Sequence, residues 1–140
     1  MNSNLLTWNK YLEDINQPCQ TDLYLFCQKN TSLALEILDS FHAGLVPNFW
    51  IGPGWMPLVF DAHKQLSEIN NNYVVYQIKE KFGGLRYYAE PIEEKNIQLF
   101  VSVIGDAEAR SLSICEICSN PAQIRKTNYT YRTLCDTCAS

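Results

Sequence analysis

The sequence predicts an α+β fold: a helical N-terminal part, a β-hairpin packed on helices, and a C-terminal zinc-ribbon-like module. Three observations carry this. Apolar residues recur at helical spacing from Leu5 to Ile69, the period changes to alternation at Val74, and two C-x-x-C pairs frame the C-terminal segment. The division expected is a core domain over 1–113 with a metal module over 114–140 packed on it.

Leu5, Trp8, Leu12 and Ile15 form the first helical stripe, with Ser3 as the expected N-cap and Pro18 as the stop. A second segment is predicted from Thr21 to about Asn30, and a third from Ser32 to Phe41 with Leu35, Leu38 and Phe41 facing one way. Gly44 to Pro57 reads as a loop rich in Gly, Pro and Trp. The next helix starts near Trp55 and buries Leu58, Val59, Ala62, Leu66 and Ile69, until Asn70-Asn71-Asn72 ends it. Val74, Tyr76 and Ile78 then alternate with more polar neighbours, which predicts a strand. Gly83-Gly84 supplies a two-residue turn, and Leu85 to Glu90 is the return strand. Pro91 ends that strand and opens the last long helix, with Ile97, Phe100, Val101, Ile104 and Leu112 as its stripe.

At 140 residues, 46% hydrophobic and 19% charged, the chain has the material for one packed domain, which excludes a disordered or fibrous protein. No run approaches the ~18 apolar residues of a membrane span. The start of the chain lacks the basic-then-apolar pattern of a secretory signal, so a cytoplasmic location is expected. Net charge is −4, against broad coating of nucleic acid. Charge is uneven: residues 1–75 hold three basic and seven acidic side chains, and residues 76–140 hold eight of each.

Cys115-Glu-Ile-Cys118 and Cys135-Asp-Thr-Cys138 are separated by sixteen residues. Each pair sits on a tight turn that aims two sulfurs inward, and two such turns side by side make a tetrahedral thiolate cage for Zn²⁺, with bonds of about 2.3 Å. Four protein ligands leave no open position, so the expected zinc is structural. Ala122–Lys126 and Tyr129–Leu134 read as a short hairpin with Thr127-Asn128 near its turn. Arg125, Lys126 and Arg132 are placed to offset the charge of the thiolates. Cys19 and Cys27 lie outside this pattern and read as ordinary free cysteines.

The stretch Lys79 to Tyr88 carries the candidate ligand site. A Gly83-Gly84 turn places Phe82 opposite Leu85, Lys81 opposite Arg86 and Lys79 opposite Tyr88. Phe82 and Leu85 then face the core, with Glu80 seeking a partner such as the Tyr87 hydroxyl. Lys79, Lys81, Arg86 and Tyr88 share the other face. Like charges directly opposite destabilise a sheet, so this cluster calls for an anion: a carboxylate of the fold or a phosphate. The alternative is a solvated edge whose lysines block aggregation. Gly52-Pro53-Gly54-Trp55 is a second anion candidate, because glycines before a helix leave N–H groups open. Trp50 and Trp55 would wall a pocket there; the alternative is an ordinary helix start with buried tryptophans. Asp61 and His63 are two apart on a helix and do not form a catalytic pair. No nucleophile-elbow, Walker or metalloprotease motif is present, and no named reaction follows.

Gly52-Pro53-Gly54-Trp55, the block Lys79 to Tyr88, and the two C-x-x-C pairs, in this order, resemble a family of small uncharacterised proteins from bacteria, tailed phages and prophages. The resemblance spans about residues 52–138 and implies a phage–host setting. In that family a Gly usually follows the first cysteine pair, where this chain has Ser119. By analogy, small phage accessory proteins counter host defence by occluding a protein or sequestering a nucleotide signal.

Three functions follow. The first is a non-enzymatic binder of a small phosphorylated, nucleotide-like ligand through Lys79, Lys81, Arg86, Tyr88, Trp50 and Trp55. The second is a protein-interaction or inhibitor module with a host-protein partner. The third, disfavoured by charge, is nucleic-acid binding. The sequence leaves the oligomeric state open.

Overall fold

The computed structural model describes residues 2–140. Helix α1 (Ser3–Glu13) is capped by Asn2, whose side chain accepts from the N–H groups of Asn4 and Leu5. The expected cap, Ser3, is instead the first helical residue. Pro18 opens a 3-10 turn (Pro18–Gln20) that leads directly into α2 (Thr21–Lys29). Its fixed φ suits a first helical position. Asn30 alone separates α2 from α3 (Thr31–Asp39). The buried face of α3 is Ala34, Ile37 and Leu38, and Leu35 and Phe41 pack only at its margin.

Strand β1 (Phe49–Trp50) interrupts the segment expected to be all loop. A 3-10 turn over Pro53–Trp55 then starts α4 (Met56–Ile69). Strands β2 (Val74–Lys81) and β3 (Gly84–Glu90) form the predicted hairpin, and β1 adds in parallel to β2. The sheet is therefore mixed, in the order β1-β2-β3. Helix α5 (Ile97–Ser111) follows a non-helical connection, so Pro91 ends a strand without opening a helix. Its buried face is Phe100, Val103, Ala107 and Ser111; Ile97, Val101 and Leu112 are exposed.

The hairpin register differs from expectation. Observed pairs are Lys81↔Gly84, Glu80↔Leu85, Lys79↔Arg86, Ile78↔Tyr87 and Gln77↔Tyr88. The turn is Phe82-Gly83, both at positive φ (54° and 83°), as the favoured two-residue turn demands. Phe82 is thus at the tip and 66% exposed, while Leu85 is fully buried. The register breaks between Val75 and Gln77, where an extra residue, Tyr76, bulges outward. That bulge, not simple alternation, puts Val75 and Ile78 both in the core.

One core fills the space between the helices and the inner sheet face, built on Trp8, Trp55, Phe60, Phe100, Leu85 and Tyr87. It contains one polar chain. The Tyr87 hydroxyl bonds the Tyr73 hydroxyl at 2.6 Å, and Tyr73 bonds His63 Nδ1 at 2.7 Å. His63 Nε2 lies 3.4 Å from both Glu36 and Ser67 at the surface. Tyr87 is therefore partnered within the core, not by Glu80. Helix α5 closes the outer edge of β3: Ser111 Oγ accepts from the Leu85 N–H and Glu108 from the Tyr87 N–H, both at 2.9 Å. No helix among the described residues is long and apolar enough to cross a membrane.

Candidate functional site

The C-terminal segment folds as the sequence spacing dictates. Strands β4 (Gln123–Thr127) and β5 (Thr130–Leu134) pair antiparallel, and a one-turn helix α6 (Asp136–Ala139) follows. Cys115, Cys118, Cys135 and Cys138 bring their sulfurs within 4.8 Å of one another, close enough to hold one metal ion. Cys118 Sγ and Cys135 Sγ are 3.6 Å apart. A tetrahedron with bonds of about 2.3 Å asks for sulfur separations of roughly 3.8 Å. The Cys138 N–H donates to Cys135 Sγ and helps pull that thiol down to about 7, whereas burial pushes Cys118 up to about 11. Around the cluster, Arg125 donates to the Leu134 carbonyl and to Asp136, and Arg132 faces Glu116 at 3.7 Å. Cys27 is buried, which lifts its thiol to about 12, and Cys19 is exposed; both are free.

Two distant motifs serve as the seat of this module. At the Gly52–Trp55 loop, the Gly54 N–H donates to the Glu116 carbonyl at 2.7 Å and the Gly52 N–H to the Glu116 carboxylate at 2.9 Å. Trp55 is fully buried and its indole N–H donates to the Ile114 carbonyl at 2.8 Å. A Cβ on Gly54 would overlap the Cys115 carbonyl, and one on Gly52 the Glu116 backbone. The open N–H groups expected of this loop are therefore taken up by the protein's own Glu116, Gly52 by its carboxyl group and Gly54 by its backbone carbonyl. Burial raises that carboxyl group, against the opposing pull of the Gly52 N–H and Arg132.

Ser119 takes the left-handed φ of 72° that a glycine would supply after the first cysteine pair. Its hydroxyl donates to the Gly54 carbonyl at 2.6 Å, a bond glycine cannot make. The hairpin tip is the second seat. Thr133 Oγ1 donates to the Gly83 carbonyl at 2.6 Å, and Glu80 accepts from the Gly83 N–H at 2.7 Å. Ile124 and Tyr131 close on Gly83, and Leu112 and the Arg86 guanidinium on Gly84.

The open face of the sheet gathers most of the remaining candidates. Trp50 pairs with Lys79 across β1–β2, and Lys79 with Arg86 across β2–β3, so the three form one cross-strand row. Lys81 and Tyr88 share that face, two residues along from Lys79 and Arg86. The like-charge opposition is thus Lys79–Arg86, not Lys81–Arg86. Face membership survives the register change because, between Gln77 and Tyr88, each partner moves by two positions. Among the described residues, none of these three cations pairs with a carboxylate; Arg86 donates only to the Leu85 carbonyl, at 3.0 Å. Trp50 is 56% exposed. Trp55 is not on this face and presents no surface to a ligand. A cleft of about 740 Å³ beside β1, which Trp50 also lines, mixes Lys10 and Arg132 with Asp14, Glu80 and Glu116, and so lacks a dominant charge.

No family model matches the chain, and no curated protein or solved structure is significantly similar to it.

Sequence reasoning missed the seating role of the two motifs and the His63–Tyr73–Tyr87 chain. Neither leaves a local pattern: both depend on residues brought together from segments far apart in sequence.

Proposed function

We propose that this chain is a non-enzymatic, zinc-stapled module that captures a small anionic, nucleotide-like ligand on the open sheet face. The observation that carries the reading is the row Trp50–Lys79–Arg86: two cations held opposite each other with no carboxylate partner, beside an exposed indole. Holding like charges together costs stability unless an anion bridges them. A phosphate answers both, since Arg offers a planar fork and Lys a point charge. Lys81 and Tyr88 extend the same face, and Trp50 and Tyr88 supply flat surfaces for a base.

Zinc is the metal that best suits four thiolates in a closed tetrahedral set, and its role here is to hold the module on the core. The motif resemblance to small bacterial and phage proteins supports a setting in the bacterial cytoplasm, with a host defence signal as the captured nucleotide. Thermal shift against a nucleotide panel tests the reading. Arg86→Gln should leave the ligand-free protein no less stable and abolish the shift. A ligand present at about 100-fold its dissociation constant adds roughly 2.7 kcal/mol in the wild type.

A second reading is favoured by a different surface. Phe82, Leu112, Ile124 and Tyr131 are all partly exposed and surround the hairpin tip, an apolar patch suited to a protein partner. A panel that shifts nothing transfers the weight to that patch.

A further inference from the structure

We infer that the open sheet face is built for two linked bases: its ligand is a free dinucleotide, two nucleosides joined through phosphate. This rests on the anion-capture reading above and names the ligand class.

The argument is positional. Trp50 stands on β1 and Tyr88 on β3, so the two rings are separated by two strand spacings and by two residues along the strand. With strands about 4.8 Å apart and a rise of about 3.3 Å per residue, their Cα positions differ by on the order of 12 Å. One nucleobase cannot lie on both rings. Two bases splayed from a common phosphate can, each stacking on one aromatic side chain. The line joining the rings passes between Lys79 and Gln77 on β2, and Arg86 stands next to Tyr88 on β3. Lys79 and Arg86 therefore stand together on the turn side of that line, where the linking phosphate would meet them.

The same face argues against a longer strand. Glu90, exposed, is two residues beyond Tyr88 on β3, so a polyanion continuing in that direction meets a carboxylate. The opposite end closes at the Phe82-Gly83 turn, and the molecule carries net charge −4.

The test uses the zinc-loaded full chain. Trp8 and Trp55 are fully buried and Trp50 is exposed, so quenching of indole fluorescence reports Trp50. The probes are pApA and ADP, which carry similar charge and differ by one base, with binding also measured by calorimetry. The expected result is at least tenfold tighter binding of pApA. Trp50→Ala and Tyr88→Ala should each erase that advantage by calorimetry while leaving the melting temperature unchanged. Equal affinities would overturn the two-base inference and leave anion capture standing. A tetranucleotide that outbinds pApA by more than the roughly threefold gain from its extra registers would overturn the free-dinucleotide size. If neither probe binds at millimolar concentration, the anion-capture reading itself fails.

Discussion

Ser119 holds a backbone conformation that costs a non-glycine residue on the order of 1–2 kcal/mol, and its hydroxyl bond to Gly54 offsets part of that cost. Ser119→Ala keeps the strain and loses the bond, so it should destabilise the protein by about 1 kcal/mol in chemical denaturation. Ser119→Gly should be closer to neutral, because relief of strain compensates the lost bond. Gly54 offers a harsher test: a methyl group there meets the Cys115 carbonyl, and Gly54→Ala should cost about 3 kcal/mol or more and weaken metal retention. His63 gives a pH signature. Burial lowers its pKa, against the opposing influence of Glu36. The unfolded chain titrates His63 near about 6.5, so this contribution is complete above that pH and is lost as pH falls toward the folded value. The wild type should therefore lose stability as pH falls below about 6.5, and His63→Gln should flatten that slope in a series of thermal melts.

The hairpin shows what a sequence can and cannot reveal about an element. Its existence, its two strands and the sharing of one face by Lys79, Lys81, Arg86 and Tyr88 were legible from alternation and a glycine pair. The turn position was not. Gly83-Gly84 is a good turn dipeptide, but Gly84 is needed in the strand, where a Cβ would crowd Arg86 and Leu112. Phe82 takes the turn position instead. The Tyr76 bulge was equally invisible, because Val74, Tyr76 and Ile78 alternate as a regular strand would. Two substitutions separate the registers. Leu85→Ala should cost about 2–5 kcal/mol, as expected at a fully buried site. Phe82→Ala should change stability by less than about 0.5 kcal/mol, because the side chain is exposed at the tip and alanine keeps the same positive φ. Loss of several kcal/mol on Phe82→Ala would return Phe82 to the core.

At the scale of the whole molecule, the four-cysteine module was the most legible part, because two C-x-x-C pairs at fixed spacing leave little freedom. The helices were legible in order and roughly in extent, since helical spacing of apolar residues survives one error at each end. How the parts meet was not legible. Glu116, Trp55, Ser119 and Thr133 join segments far apart in the chain, and none of these bonds has a local signature. Coupling between module and core follows. Removing the metal with a chelator should lower the melting temperature of the whole chain, not of a C-terminal segment alone. It should also change the near-ultraviolet circular dichroism of Trp55, whose indole bonds the Ile114 carbonyl. Cys118→Ser should do the same and bring the metal-to-protein ratio well below one. Two separate melting steps, with the larger one unaffected by chelator, would contradict this coupling.

The order of synthesis gives the two glycine seats a temporal meaning. Gly52–Trp55 and Phe82–Gly84 leave the ribosome before the segment that covers them, Ile114 to Thr133. Until that segment emerges, the N–H groups of Gly52 and Gly54 and the indole of Trp55 have only water as partner. A nascent chain stalled before Cys115 therefore leaves those donors facing water and both glycine seats uncovered.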